Sequence, residues 1–156
     1  MPYSKTYTVT EATRLLEKYC AYQERCHKEV EQKLHNLNMI TEAKELIILH
    51  LMEHNFLNEE RFSKAFVRGK FSIKKWGKIK IVNELKFKNI STYNIKSGLK
   101  EINENQYLQN LDMLASKKIN LVKESNSYKK RVKVFNYLKS KGYENDIINN
   151  CLNKLL

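Results

Sequence analysis

His50-Leu51-Met52-Glu53-His54 is the string in this sequence that comes nearest to a catalytic motif. It matches the H-x-x-E-H pattern of inverted zinc peptidases, and two histidines four positions apart can bind Zn²⁺ from one face of a helix. However, Leu51 and Met52 lie in the most apolar segment of the chain, and His54 runs directly into a turn at Asn55. Because short strings of this kind often arise by chance, we expect two histidines at a helix end that bind no metal.

The three cysteines offer no clearer site. Cys20, Cys26 and His27 lie close together, but no second pair of ligands follows at the spacing that a four-ligand zinc site needs. An odd number of cysteines without a framework spacing predicts reduced thiols, and we expect Cys20 and Cys151 to be core residues. The four glycines stand alone, so nothing indicates a glycine-rich phosphate loop. We therefore predict a protein that is not an enzyme and uses no cofactor.

The charge balance is the strongest functional signal in the sequence. The 156 residues include 29 Lys and Arg against 17 Asp and Glu, which gives a net charge of +12. Residues 1–56 have a net charge of −1, whereas residues 57–103 have +8 and residues 104–156 have +5. Compositional bias would mix the lysines with the acids, so this segregation favours a basic surface that binds a polyanionic partner over a merely solvated face.

Two acid-free stretches concentrate these cations. The first runs from Arg61 to Asn83 and holds eight of them, and the second runs from Ser125 to Tyr143 and holds six. We expect the partner to be contacted by the exposed cations of the first stretch, namely Arg68, Lys70, Lys74, Lys75, Lys78 and Lys80. The second choice is the group formed by Lys129, Lys130, Arg131 and Lys133.

No membrane or secretory segment stands out. No apolar run approaches the roughly 18 residues that a membrane span requires. The first residues, Met1 to Lys5, are not followed by the apolar stretch of a secretory signal. We expect a cytoplasmic protein that contacts no membrane.

Apolar residues recur at helical spacing throughout the chain, and only four Gly and one Pro interrupt them. This pattern predicts nine helices and no strand, an all-α fold. The segment 42–54 is apolar around almost its whole circumference, which predicts a central, buried helix. Residues that can cap helix starts are Thr8 with Glu11, Thr41, Asn58, Ser91 and Ser127.

The nine predicted helices fall into three groups of three. Leu34, Leu85 and Leu138 take the same place in each group and are 51 and 53 residues apart. This spacing indicates a three-helix repeat of about 50 residues. Because such a unit buries little surface alone, we predict three tandem repeats stacked into an elongated, curved molecule. The proposed boundaries are an N-terminal segment 1–9 and repeats 10–56, 57–103 and 104–156.

Three strings resemble the motifs of one protein family. Residues 19–34 (YCAYQERCHKEVEQKL) resemble its first-repeat motif, and residues 56–70 (FLNEERFSKAFVRGK) resemble its signature L-[ND]-[DE]-E-R-F-A-x-[AS]-[FY]-V-R. Residues 76–90 (WGKIKIVNELKFKNI) are similar to the second-repeat motif, in which a glycine precedes I-x-x-E-L-x-x-K-G-I. The family is RecX, regulators of the bacterial RecA recombinase. Two departures are Cys26, where the family often has Ser, and Asn89, where Gly is common.

The resemblance covers residues 10–156 and implies an all-helical fold with a non-enzymatic, cytoplasmic role. Members of the family bind the RecA–DNA filament in its helical groove and modulate, usually inhibit, strand exchange and ATP hydrolysis. The resemblance therefore implies the RecA filament as partner, with single-stranded or double-stranded DNA as a further one, and we expect a monomer. The alternative from another class is a sequence-independent nucleic-acid-binding helical protein that acts on DNA alone.

Overall fold

A computed structural model describes residues 5–156 of the chain. The helices of this part are α1 (Val9–Tyr22), α2 (His27–Asn36), α3 (Thr41–Glu53), α4 (Glu59–Ser72), α5 (Lys78–Phe87), α6 (Thr92–Leu99), α7 (Glu104–Leu121), α8 (Ser127–Ser140) and α9 (Asn145–Leu155). No strand occurs within residues 5–156, and the predicted all-α fold of three-helix repeats is confirmed.

Several helices begin where short polar residues predict a start. The Thr8 hydroxyl accepts the N–H of Glu11 at 3.1 Å, and the Glu11 carboxylate accepts the N–H of Thr8 at 2.9 Å. The Asn58 side chain accepts the N–H of Arg61 at 2.9 Å at the start of α4. Ser91 caps α6 in the same way. These starts are fixed locally, because each side chain satisfies an amide that has no partner inside its helix.

Two predicted caps are displaced by one residue. Thr41 is the first residue of α3 and not its cap. Ser127 is likewise the first residue of α8, which is capped by Asn126. Helix α5 begins at Lys78 and has Gly77 as its N-cap.

The three helix triplets repeat a backbone turn as well as a sequence pattern. Each of the buried leucines Leu34, Leu85 and Leu138 is followed four positions later by a residue in the left-handed region. These residues are Asn38 (φ 60°), Asn89 (φ 61°) and Gly142 (φ 96°). Asn and Gly adopt this conformation more readily than other residues, and it turns the chain sharply from the second helix of a triplet into the third.

Buried apolar residues form two clusters and not three. One cluster belongs to α1–α3 and their adjoining turn and includes Leu16, Leu34 and Ile47. The other runs through α4–α9 and includes Leu85 and Tyr107. The second and third triplets therefore share one core, whereas the first triplet has its own.

Polar contacts dominate where the first triplet meets the second. The Arg61 guanidinium pairs with the Glu24 carboxylate at 2.5 Å, and the N–H of His27 donates to the Glu59 carboxylate at 3.0 Å. The Cys26 side chain is the apolar exception, since it is fully buried in the cluster of α4–α9.

Helix α3 is not the buried central helix that its hydropathy predicts. Its exposed side carries Leu46, Leu49 and Met52, which are 64%, 51% and 47% exposed. The prediction is wrong because the composition of a helix does not show whether a neighbour covers each of its sides. Tyr22, the last residue of α1, is also exposed.

The molecule is less compact than a globule of its mass. Its accessible surface is 10114 Å² for 18.6 kDa. A compact monomer of this mass would expose about 8,200 Å². This excess agrees with a stack of small repeats. Among the helices of residues 5–156, none is both long enough and apolar enough to cross a bilayer.

Candidate nucleic-acid interface

The loop between α4 and α5 is hydrogen-bonded to the loop between α8 and α9. The N–H of Gly77 donates to the Lys141 carbonyl at 2.7 Å, and the N–H of Ile79 donates to the Gly142 carbonyl at 3.0 Å. A β-carbon on Gly77 would overlap the Gly142 carbonyl, so only glycine allows this approach. The contact brings together the two acid-free stretches of the sequence, 61–83 and 125–143.

Two buried tyrosines support this junction from inside the core. The Tyr143 hydroxyl donates to the Lys75 carbonyl at 2.7 Å. The Tyr107 hydroxyl accepts the N–H of Lys78 at 2.8 Å and donates to the Glu144 carboxylate at 2.5 Å. Burial raises the pKa of both phenols well above the usual value, and the nearby Glu144 carboxylate raises them further. Both hydroxyls therefore remain protonated donors at neutral pH.

Trp76 lies on the α4–α5 loop between two lysines. The Nζ atoms of Lys70 and Lys80 are 4.7 Å and 4.4 Å from the centroid of the indole ring. These distances are typical of cation–π contacts, which hold the ammonium groups beside the ring. An aromatic ring among cations is the combination with which single-stranded nucleic acids are bound by stacking and charge.

Further lysines lie on the two segments that meet at Gly77 and Gly142. Lys74 and Lys139 are exposed, and Lys75 and Lys141 are half-buried. We call the whole group the junction surface, made of Lys70, Lys74, Lys75, Trp76, Lys80, Lys139 and Lys141. Within residues 5–156, no carboxylate lies within 4.0 Å of the Nζ atom of any of these lysines. Their charges are therefore available to a ligand.

Two residues of the first predicted group are paired with acids. The Arg68 guanidinium pairs with the Glu101 carboxylate at 2.9 Å. Lys78 Nζ pairs with Glu104 at 2.5 Å and lies 4.8 Å from the centroid of the Tyr107 ring. Lys78 thus joins the second and third triplets, and the structure separates it from Lys74 because α5 begins only at Lys78.

The second predicted group lies at the other end of α8. Lys129 and Lys141 are separated by about 18 Å of helix rise. Lys133 pairs with Glu124 at 3.2 Å, and Arg131 donates to the Asn153 side chain at 3.0 Å. Lys129 and Lys130 remain on the first turn of the helix, apart from the junction surface.

Lys139 and Lys141 belong to the junction surface but are not among the predicted contact residues. Lys141 Nζ lies 5.8 Å from the centroid of the Tyr137 ring, and Lys139 Nζ donates to the Asn145 side chain at 2.6 Å. The available signal was Gly142, which occupies the repeated left-handed position and follows both lysines closely in the sequence.

The histidines and cysteines form no alternative site in residues 5–156. His50 Nε2 is 2.9 Å from a Glu17 carboxylate oxygen, and no group of three His, Cys, Asp or Glu in this range could share a metal ion. The predicted core positions of Cys20 and Cys151 are confirmed. Burial raises the pKa of the Cys20 and Cys26 thiols to about 11 and that of Cys151 to about 12. These thiols are protonated at neutral pH and are poor nucleophiles.

Family models match both triplets that share the larger core. The model of the second three-helix domain of RecX matches residues 58–99, and the model of the third three-helix domain matches residues 104–152. Together the two matches cover more than half of the chain.

Curated relatives show the same similarity. The chain is 34% identical over 131 residues to "Regulatory protein RecX" of Clostridium botulinum, a match that covers 83% of this chain and 61% of that protein. It is 28% identical over 131 residues to "Regulatory protein RecX" of Finegoldia magna, covering 83% of this chain and 64% of that protein. The chain thus spans about three fifths of the length of these relatives.

Solved structures share the fold. The crystal structure of RecX from Lactobacillus salivarius superimposes with a TM-score of 0.82 at 24% identity, covering 94% of this chain and 96% of that chain. A second crystal structure, of a regulatory protein RecX, has a TM-score of 0.85 at 19% identity and covers 93% and 73% of the two chains. The matched domains, the relatives and the helix triplets agree, and the chain belongs to the RecX family.

Proposed function

We propose that this chain regulates a RecA recombinase by binding the RecA–DNA filament and inhibiting strand exchange and ATP hydrolysis. Its curated relatives are named regulatory proteins. The observation that carries the proposal is the junction surface, where two acid-free stretches meet around Trp76. A RecA filament offers DNA phosphates in a helical groove, and a surface of unpaired lysines is complementary to them.

The proposed mechanism is binding without chemistry. Each lysine that neutralises a phosphate releases condensed counterions, so binding weakens steeply as the salt concentration rises. The backbone hydrogen bonds between the second and third triplets hold together the two segments that carry these lysines. A monomer bound in the groove of the filament would then oppose the movements of RecA that accompany ATP hydrolysis and strand exchange. We place this activity in the cytoplasm.

The alternative function is sequence-independent binding of DNA alone. It is favoured by the position of Trp76 between Lys70 and Lys80, because single-stranded nucleic-acid sites combine aromatic stacking with backbone cations. In this case the chain would bind bare DNA as tightly as it binds filaments.

Co-sedimentation with RecA filaments separates the two functions. The chain is mixed with filaments on single-stranded DNA, in ATP or ADP, and in parallel with the same DNA alone at about 0.15 M salt. We expect sedimentation with filaments at concentrations that leave bare DNA unbound, together with a fall in RecA ATP hydrolysis. Equal binding to bare DNA with unchanged ATP hydrolysis would support the alternative. Absence of binding to both would contradict the two functions together.

A further inference from the structure

The outward side of α3 carries an apolar ridge with acids beside it. Leu46, Leu49 and Met52 follow one another at intervals of three residues, so they lie on one side of the helix. Each is about half exposed or more. Three exposed acids, Glu42, Glu45 and Glu53, share this side. We call these six residues the α3 face.

The fold does not require leucines at these positions. When the triplets are aligned on Leu34 and Leu138 and their left-handed residues, Leu46 corresponds to Asn150 and Leu49 to Asn153, both exposed in α9. The third triplet therefore has polar side chains at two of the three ridge positions, while Leu156 takes the place of Met52. The buried residues Ala43, Ile47 and Leu51 are sufficient to pack α3 against its own core.

The acids of the α3 face are also unpaired. Among residues 5–156, no Lys, Arg or His nitrogen lies within 4.0 Å of the carboxylates of Glu42, Glu45 or Glu53, although the chain has a net charge of +12. Glu53 stands at the C-terminal end of α3, where the helix dipole disfavours a negative charge. Helix stability therefore does not explain this acid.

The chemistry of the α3 face selects one kind of partner. Carboxylates repel phosphate, which excludes the backbone of a nucleic acid. Antiparallel pairing with the same face of a second copy would bring acids opposite acids. A protein segment with apolar side chains between lysines or arginines is complementary in both charge and hydrophobicity.

We propose that the α3 face binds such a cationic, amphipathic protein segment. The identity of the protein rests on the proposed function, in which it is RecA. The first triplet then contacts the protein component of the filament, while the junction surface of the other two triplets contacts the phosphates. The acids and the lysines of this chain thus bind opposite charges in one complex.

The test uses the double variant Leu49→Ser/Glu53→Lys. Its matched control is Leu121→Ser/Glu31→Lys, which makes the same changes at exposed positions outside the α3 face. Binding is measured to RecA filaments, to bare single-stranded DNA, and to an amphipathic helical peptide of leucines and lysines, with a leucine–glutamate peptide for comparison. We expect at least a tenfold loss for filaments and for the cationic peptide, unchanged DNA binding, and parental behaviour of the control.

The other outcomes test the inference and the proposed function separately. Parental binding of the α3 variant to filaments and to the cationic peptide would overturn the inference and leave the proposed function standing. A parent chain that binds the cationic peptide through the α3 face but binds no filaments would support the inference and contradict RecA regulation. The inference would also be overturned if the α3 variant lost bare DNA binding as much as filament binding, or if the parent bound the two peptides equally well. A parent dimer that the α3 substitutions convert to monomers would overturn it as well.

Discussion

Gly77 packs directly against the carbonyl of Gly142 and joins the second helix triplet to the third. The N–H of Gly77 donates to the neighbouring Lys141 carbonyl at 2.7 Å, and neither glycine has room for a β-carbon. Gly142 also has a φ of 96°, in the region that favours glycine. This pair therefore fixes the relative position of the two loops that carry the junction surface.

Gly77→Ala should destabilise the protein by about 2–4 kcal/mol, because the new methyl group overlaps backbone and separates two hydrogen-bonded loops. Gly69→Ala is the matched control, since Gly69 lies within α4 and has no neighbouring atom within 4 Å of a β-carbon. The control should gain about 0.5–1 kcal/mol from helix propensity. Urea denaturation measures both changes, and equal midpoints for the two variants would contradict the close contact.

The elements that the sequence predicts well are those whose causes are local. The cap of α1 requires only Thr8 and Glu11, three positions apart, and the helical pattern around Leu85 requires only its near neighbours. The outer side of α3 could not be predicted in this way. Leu46 and Ile47 are adjacent and equally apolar, and only the position of α1 and α2 decides that Ile47 is the one buried.

The buried phenols give a prediction for alkaline pH. Burial holds the pKa of Tyr107 and Tyr143 above the value of about 10 in unfolded chains. Because the folded-state pKa is raised, the stability from these groups is complete below about pH 10 and is lost as the pH rises further. We expect both phenols to stay protonated in the folded protein near pH 11, a pH at which tyrosines in denaturant ionise.

Tyrosinate absorbance during a pH titration measures this difference, with circular dichroism to confirm that the chain remains folded. Tyr107→Phe should leave the native titration unchanged, since that phenol does not ionise in the folded state. In denaturant the same substitution should remove one tyrosinate, because the unfolded chain exposes that phenol to water. If folded Tyr107→Phe forms one tyrosinate fewer than the folded parent, Tyr107 ionises in the folded state and the prediction is wrong.

Leu85→Ala should lower the free energy of unfolding by about 2–5 kcal/mol, because Leu85 is fully buried in the larger core and the substitution leaves a cavity. Leu108→Ala in α7 is the control, since Leu108 is 45% exposed and should cost much less. Urea denaturation compares the two. Similar losses would mean that the repeat register around Leu85 is wrong.

The junction surface could be predicted only in part. The acid-free stretch around Lys74 and Lys80 was visible in the sequence, because charge segregation along a chain needs no structure. The contribution of Lys141 could not be predicted, because the two loops that meet are far apart in the chain. For example, Tyr143 and Lys75, which are hydrogen-bonded there, are 68 residues apart. The pairing of Lys78 with Glu104 is another long-range contact, and it removes a predicted ligand-binding charge.

The last prediction concerns the binding of the filament by the junction surface. Lys74→Glu/Lys80→Glu reverses two unpaired charges beside Trp76 and leaves the Lys78–Glu104 pair intact. If both lysines contact phosphates, filament binding should weaken steeply at moderate salt, and its log–log salt slope should fall by about one to two units. The cost in stability should be small, since Lys74 is exposed and Lys80, which is half-buried, loses a cation–π contact of about 0.5–1 kcal/mol.

Lys117→Glu/Lys123→Glu is the matched control, because it changes the net charge equally at exposed positions outside the junction surface. Trp76, the only tryptophan of the chain, reports binding through its fluorescence, and co-sedimentation gives an independent measurement. The control should bind filaments almost as the parent does. If both variants lose the same affinity, binding follows overall charge and not this surface. If neither loses affinity, the two lysines do not contact the filament.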